Sequence, residues 1–224
     1  EASACDRHEV ATRIFDVIGD EERSCSIISM WFPSIKDKNA LERLVVVVRE
    51  NRNRLGLENI KSSSWPQVPT TMVELSWNND GAEISAKDDE LDERIAKAIF
   101  DTESWVDETL CRLRLCPYTA SLQRAATGLE SQEVKEGPVI VRHSSTFCRN
   151  VHPAAALAAS FWQGVSELVN EPEEDVATLL LIAPESYDSD FELFSKVCDE
   201  LIEPSVQAVG ATDIVGRAWF HPLY

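Results

Sequence analysis

The sequence lacks the features that identify several large classes of protein. No apolar run approaches the roughly 18 residues that a membrane-spanning helix requires, which predicts a soluble or peripheral chain. With only 8 glycines in 224 residues, it contains no glycine-rich phosphate loop, no Walker-type lysine and no Gly-x-Ser-x-Gly elbow. The sequence therefore does not indicate a nucleotide-binding loop, and no cofactor is predicted.

Basic residues are scarce. The chain has 21 Lys and Arg against 39 Asp and Glu, which gives a formal net charge of -18. A surface this acidic repels phosphate backbones and argues against nucleic acid as a ligand. An acidic surface is suited to binding a cation or a basic partner surface. Most simply, it keeps the exterior of the protein well solvated.

The cysteines are scattered, and no Cys-x-x-Cys pair occurs. A chain of this length does not need disulfides to hold a core, so a reducing compartment is favoured. Cys198 lies on the apolar face of a predicted helix and is expected to be a small core residue. No metal site is predicted, because zinc-ligand spacing is absent among the candidate side chains: Cys111, Cys116, His143, Cys148, His152 and His221.

Residues 1–100 predict an α+β extension. The apolar patch at residues 14–18 indicates a docked helix or a partly ordered arm. Ser26–Phe32 is rich in strand-forming residues, and Thr70–Trp77 predicts a second strand. Asp37 caps a helix, unless the aliphatic run within it is a buried strand. Residues 51–70 have the composition of a loop.

From about residue 88, helix and strand alternate. This order predicts an α/β fold with helices packed on a small mixed sheet, and a domain covering residues 101–224. Val176–Ala183 is apolar enough for a central strand covered on both faces. The predicted elements are a helix from Asp88 towards Pro117, a strand at 138–142, a helix opened by His152-Pro153, a strand at 176–183, a helix capped by Ser189 or Asp190 and ended or kinked by Pro204, and a strand at 214–220.

Four short motifs in this half occur in a characteristic order. They are Leu115-Cys116-Pro117-Tyr118 preceded by Trp105, Val139–Arg142, Thr178–Ile182 before a proline, and Phe220-His221-Pro222 before Tyr224. This order resembles the domain of unknown function 1415, a family of bacteria and some photosynthetic eukaryotes, over roughly residues 103–224. Ala183-Pro184 replaces the family's His-Pro, and Leu223 replaces an acidic residue. The family carries no established reaction to transfer.

One reading of these motifs is a small enzyme acting on an anionic small molecule. Cys116 is the candidate nucleophile, with His143 or His221 as its base. Arg142 is a candidate anion ligand at a strand end, where α/β sheets place ligands. A helix C-terminus disfavours a thiolate, so a structural role for Cys116 is the simpler interpretation.

The other reading is a non-catalytic accessory subunit that binds protein partners through residues 1–100. The candidate residues for contacting such a partner are aromatic side chains flanked by loop-forming residues. The family's distribution implies one concrete version, a peripheral stromal subunit of a plastid photosynthetic complex such as a photosystem; outside an alga, a cytoplasmic protein is expected. The anchors are Trp31, Phe32, Trp65 and Trp77.

Overall fold

The computed structural model describes most of the chain. The described residues are 7–20, 27–33, 37–64, 70–77, 88–113, 139–143, 151–170, 178–183, 187, 189–212, 214–221 and 223. Its helices are α1 (Arg7–Ile18), α2 (Lys38–Glu50), α3 (Asp88–Trp105), α4 (Pro153–Asn170), α5 (Phe191–Val197) and α6 (Glu203–Val209). Its strands are β1 (Ile27–Pro33), β2 (Leu57–Ser64), β3 (Thr70–Trp77), β4 (Val139–His143) and β5 (Thr178–Ile182). The predicted mixture of helices with a small sheet is confirmed.

The chain divides into two compact units, each assembled from separate stretches. Unit 1 comprises Glu1–Ile84, Ser145–Gln163 and Glu185–Tyr224, and unit 2 comprises Ser85–Ser144 and Gly164–Pro184. Compact packing does not by itself define a folding domain. The predicted division after residue 100 therefore stays a prediction.

Unit 1 contains an antiparallel three-stranded sheet in the order β1-β3-β2. The central strand β3 alternates, with Val73, Leu75 and Trp77 buried and the residues between them partly exposed. Met30 of β1 pairs with Val73, and Ile60 of β2 pairs with Leu75, so their side chains join the same inner face. Because side chains alternate between the two faces of a strand, every second residue of β3 lies on the face that packs in the core.

Strand β2 corrects the prediction of a loop across residues 51–70. It is an edge strand in which Leu57 and Ile60 are its buried residues, while its serines are exposed. Such a strand is held by backbone pairing with β3 rather than by its own side chains. Its polar composition therefore resembles a loop when only local sequence is considered.

Helices α1 and α2 resolve two alternatives in the sequence. The apolar patch of α1 is a docked helix, since Val10, Ile14 and Ile18 are all buried at helical spacing. Residues 45–48 are helical rather than a buried strand, and Val46 within them is 46% exposed. The predicted cap is confirmed, because a carboxylate oxygen of Asp37 accepts the Ala40 N–H at 3.1 Å.

Trp162 of α4 is the fully buried centre of unit 1. Its ring stacks on Phe15 of α1 at a centroid distance of 6.4 Å and meets Phe161 edge-on at 5.5 Å. Its indole N–H donates to the Ser205 hydroxyl of α6 at 3.2 Å, and that hydroxyl donates to the Ile202 carbonyl at 2.7 Å. The one polar atom of the indole is therefore satisfied inside the core.

Unit 2 contains α3, the C-terminal part of α4 and a parallel pair of strands, β4 and β5. Both strands were predicted. The expectation that β5 is covered on both faces is wrong, because each of its residues is partly exposed. In the described part of the unit, β5 is hydrogen-bonded to β4 along one edge, and no described strand lies along its other edge.

A widened, π-helical turn at Cys198–Ile202 joins α5 to α6. Pro204 therefore does not end the helix, which continues to Gly210. Gly210 adopts a left-handed conformation with φ 67°, and the N–H of Ala211 donates to the Val206 carbonyl at 3.0 Å. This is a Schellman cap, for which glycine is favoured.

The predicted last strand at residues 214–220 is wrong. The described residues of this segment pair with no strand and follow an irregular path. Its alternating apolar residues resemble a strand, but Ile214 and Phe220 are exposed. The segment is attached to α6 by Arg217, which forms an ion pair with Glu203.

Asn51, on the turn after α2, is buried and completes the widened turn. In a regular helix the Glu200 carbonyl would accept the N–H of residue 204, but proline has none. The Asn51 side-chain amide donates to that carbonyl at 2.7 Å. Its oxygen accepts from Arg54 at 2.7 Å, and Arg54 also pairs with the Glu200 carboxylate at 2.5 Å.

Gly19 predicts a steric test of the α1–α4 contact within unit 1. A methyl group at this position would lie 2.5 Å from the Ala159 side chain. We expect Gly19→Ala to lower the free energy of unfolding by about 1–3 kcal/mol, as overpacking does. Gly216→Ala is the control, since no atom lies within 4 Å there. Equal urea midpoints for the two variants would contradict the close approach.

The Asn51–Glu200 hydrogen bond predicts coupling to Pro204. Asn51→Ala should cost about 1–3 kcal/mol by removing the donor from the Glu200 carbonyl in this part-buried hydrogen bond. In a Pro204→Ala background the cost should be smaller, because residue 204 then supplies an N–H. Urea unfolding of both single variants and the double variant measures this. Strict additivity would contradict the assignment, and Asn53→Ala, exposed on the same turn, should be nearly neutral.

Candidate functional site

His221, in the Phe-His-Pro motif, lies against an aromatic cluster of unit 1. Its ring centroid is 5.4 Å from that of Phe191 and 5.2 Å from that of Phe194. Tyr187 extends the cluster, with a centroid distance of 6.5 Å to Phe194. The phenylalanines come from the first turn of α5, which Asp190 caps by accepting the Leu193 N–H at 2.9 Å.

Both ring nitrogens of His221 are engaged by the backbone. Nδ1 accepts the N–H of Leu223 at 3.1 Å, and Nε2 lies 2.5 Å from the Tyr187 carbonyl oxygen. A carbonyl oxygen only accepts, so Nε2 carries a proton, while Nδ1 offers its lone pair to the Leu223 N–H. A general base needs a nitrogen free to take a proton. This arrangement instead uses the imidazole to bind the C-terminal segment to the residue before α5.

A second anchor holds the same segment. The Arg217 guanidinium pairs with the Glu203 carboxylate, and it also donates to the Val215 carbonyl at 3.0 Å. The hydrogen bond from Arg217 is the main cause that lowers the pKa of Glu203 below its ordinary value. The motif region is therefore fixed by an ion pair near its start and by His221 near its end.

Tyr187 and Cys198 are buried beneath this region. Burial, reinforced by the neighbouring Cys198, raises the pKa of Tyr187 to about 12. Burial, reinforced by Asp199, raises the pKa of Cys198 to about 12. A thiol held protonated in this way is a poor nucleophile. Cys198 is 1% exposed, which confirms it as a core residue.

Two of the other residues in the predicted enzyme site, Arg142 and His143, belong to unit 2. Both lie in β4, where Arg142 pairs with Leu181 and His143 pairs with Ile182 of β5. Cys116 lies outside the described residues.

The predicted aromatic anchors separate into different environments. Phe32 is fully buried and Trp77 is 4% exposed, so neither presents its ring to a partner. Trp31 is 53% exposed, and Trp65 lies outside the described residues. The alternation of side chains along β1 separates Phe32 from Trp31, because Met30 and Phe32 lie on one face of the strand and Trp31 lies on the other.

The outer face of the sheet carries a residue that sequence reasoning missed. Ile27 is 57% exposed and lies four residues before Trp31 on the same face of β1. Register places Met72 of β3 directly beside Trp31 and Ser76 beside Ile27. Two large apolar side chains are therefore exposed along one strand at the edge of the sheet, which is unusual in a solvated face.

Within the described ranges, no group of three or more His, Cys, Asp or Glu side chains is arranged to hold a metal ion. No helix in the same ranges combines the length and apolarity needed to cross a membrane.

A comparison with known protein families identifies a match over the C-terminal part of the chain. Residues 97–224 match the family model described as "Protein of unknown function (DUF1415)". No curated protein and no solved structure matches the chain. The matched segment includes the C-terminal half of α3, the β4–α4–β5 region and the C-terminal segment that His221 anchors.

Tyr187 predicts a pH dependence of stability. Its pKa is about 12 in the folded chain against an ordinary value of 10.0. Above pH 10 the unfolded chain therefore binds fewer protons than the native one, and stability falls as pH rises from 10 to 12, by up to about 1.4 kcal/mol per pH unit. Tyr187→Phe removes this contribution. Urea unfolding between pH 9 and 11.5 should show a shallower decline for the variant, and identical slopes would contradict the assignment.

Proposed function

The chain belongs to the DUF1415 family, and from its site geometry we propose that this member is a non-catalytic interaction subunit. It binds a protein partner through residues 1–100, with the outer face of β1 as the contact. The observation that carries the proposal is the pair of exposed side chains on that face, Ile27 at 57% and Trp31 at 53%. Exposed tryptophan is strongly favoured at the centres of protein interfaces.

The geometry of His221 supports the non-catalytic part of the proposal. This histidine is the titratable residue of the Phe-His-Pro motif, and both its nitrogens are bonded to backbone groups at 2.5 and 3.1 Å. A side chain held in this way positions chain segments. The alternative, an enzyme using Cys116, His143 and His221 on an anionic small molecule, gains no support from this arrangement.

Charge supports a partner with a basic surface. The net charge of -18 favours association with a positively charged protein and opposes nucleic acid. A narrower form of the proposal is a peripheral stromal subunit of a plastid photosynthetic complex, such as a photosystem. Its support is the occurrence of the family in photosynthetic eukaryotes. In a source without plastids the same role is proposed for a cytoplasmic assembly.

Trp31 predicts a loss of assembly that can be measured directly. The purified tagged chain, added to an extract of the source organism, should co-migrate with one large complex on native gels and in sizing. Trp31→Ala should weaken this by about 30-fold, as loss of an interface hot spot worth about 2 kcal/mol does. Trp105→Ala is the control, because Trp105 is also exposed, at 46%, but lies outside residues 1–100. Migration of the wild-type chain as a free 25.1 kDa species would contradict the proposal.

A further inference from the structure

The two edges of the three-stranded sheet are protected differently. β2, at one edge, carries Glu58 and Lys61 and ends in serines, so charge and polarity oppose pairing with another strand. β1, at the other edge, has the sequence IISMWFP and contains no charged residue. Edge strands without charges are prone to pair with further strands. This uncharged edge strand also carries Ile27 and Trp31.

The backbone of β1 offers hydrogen-bonding groups on its outer side. Pro33 pairs with Thr70 but has no N–H to donate, which places Pro33 and, two residues earlier, Trp31 at positions whose backbone groups point away from β3. The Trp31 carbonyl accepts a bond of 3.4 Å from Arg13. Backbone directions alternate with a period of two along a strand, so the N–H and carbonyl of Ser29 and Ile27 point the same way. These residues share the exposed side-chain face as well. Among the described strands, β1 has β3 as its neighbour and no strand on the outer side.

We propose that this edge accepts an extended segment of the partner protein as a fourth strand. The inference rests on the proposed function and specifies its binding mode. Backbone bonds to Ile27 and Ser29 would supply affinity, and alternate apolar side chains of the added strand would cover Ile27 and Trp31. The matching segment has small or β-branched apolar residues at alternate positions and is flanked by Lys or Arg, which complement the net charge of -18.

A partner strand fits this edge better than a second copy of the chain. Two copies would each bring a net charge of -18 to the interface. Antiparallel self-pairing centred on Ser29 would also place Ile27 of each copy opposite Trp31 of the other. That arrangement uses the outward carbonyl of Trp31 in both copies, whereas a partner strand bonded only to Ile27 and Ser29 leaves this carbonyl to Arg13, whose guanidinium lies 4.8 Å from the Phe32 ring centroid.

Proline substitution distinguishes this edge from the other. Ser29→Pro removes an outward N–H that makes no bond to β3, so the sheet is retained while an added strand is blocked. Ser62→Pro is the matched control on β2, because Ser62 pairs with Val73, whose backbone faces β1. Both serines are exposed. Circular dichroism and urea unfolding establish that each variant is folded.

The probe is a fluorescein-labelled synthetic peptide, Lys-Lys-Thr-Val-Thr-Val-Thr-Val-Lys-Lys, titrated with the full chain in anisotropy measurements. We expect wild type and Ser62→Pro to bind equally, and Ser29→Pro to bind at least 10-fold more weakly. A peptide with Glu in place of every Lys should bind at least 10-fold more weakly than the basic peptide at low salt. Equal binding of the basic peptide to all three proteins, absence of binding to wild type, or preference for the acidic peptide would overturn the inference.

Peptide methylation provides a test that leaves the protein unchanged. Methylating alternate amides on one edge of the peptide should abolish binding, whereas methylating the opposite edge should preserve it, since an added strand uses one edge only. Equal effects of the two methylated peptides would overturn strand addition. Dimerisation of the wild-type chain that Ser29→Pro abolishes would assign the edge to a second copy and likewise overturn it.

The proposed function and the strand-edge inference fail separately. If wild type and Ser29→Pro both co-migrate with the large complex, the interaction role stands and the added strand is excluded. If the wild-type chain does not co-migrate, the interaction role itself is excluded. Loss of co-migration for Ser29→Pro alone, with Ser62→Pro unaffected, supports both.

Discussion

Unit 1 depends on the burial of Trp162. Its ring contacts Phe15 of α1, its N–H reaches Ser205 of α6, and its carbonyl accepts from Thr12 at 3.1 Å. One residue of α4 therefore joins elements that are separated by almost the whole length of the sequence. The indole combines a large apolar area with a single polar atom, and Ser205 supplies the acceptor that this atom needs. Burial of so large a ring without that acceptor would cost an unsatisfied donor in the core.

The C-terminal part of unit 1 is built around polar groups that regular structure leaves unpaired. Pro204 deprives the Glu200 carbonyl of its helical donor, and Asn51 replaces it from the turn after α2. The irregular segment after Gly210 pairs with none of the described strands, and Arg217 and His221 fix it instead. These residues hold segments together across long sequence separations. The Phe-His-Pro motif fits such a structural role, which is compatible with a surface that binds proteins.

Much of this architecture could be predicted where the signal is local. Asp37 and Pro153 predict helix starts because capping depends on a few neighbouring residues. The alternation in β3 predicts a strand with one buried face. Strand β2 was missed because its stability comes from pairing with β3, and its own residues are mostly polar. The last strand was predicted wrongly for the opposite reason, since alternating apolar residues at 214–220 find no partner strand among the described elements.

The candidate site was harder to predict, because the function of a side chain depends on its partners. His221 has the chemistry of a base in sequence, and the Tyr187 carbonyl that engages it is 34 residues away. The aromatic anchors were predicted from their proximity to loop residues. Their exposure depends instead on which face of the strand each side chain occupies. Applying the period of two to residues 30–32 and 73–77 would have separated Trp31 from Phe32 and Trp77. Asn51 could not have been identified, since nothing near it in sequence indicates Glu200.

The uncharged edge of β1 has a consequence for the abundance of the protein in a cell. An exposed apolar edge strand is a recognised route to aggregation when a chain accumulates alone. If a partner strand covers that edge as proposed, copies in excess of the partner leave it open to chaperones and proteases. The surplus is then removed selectively, with Ile27 and Trp31 as the apolar residues that those copies expose.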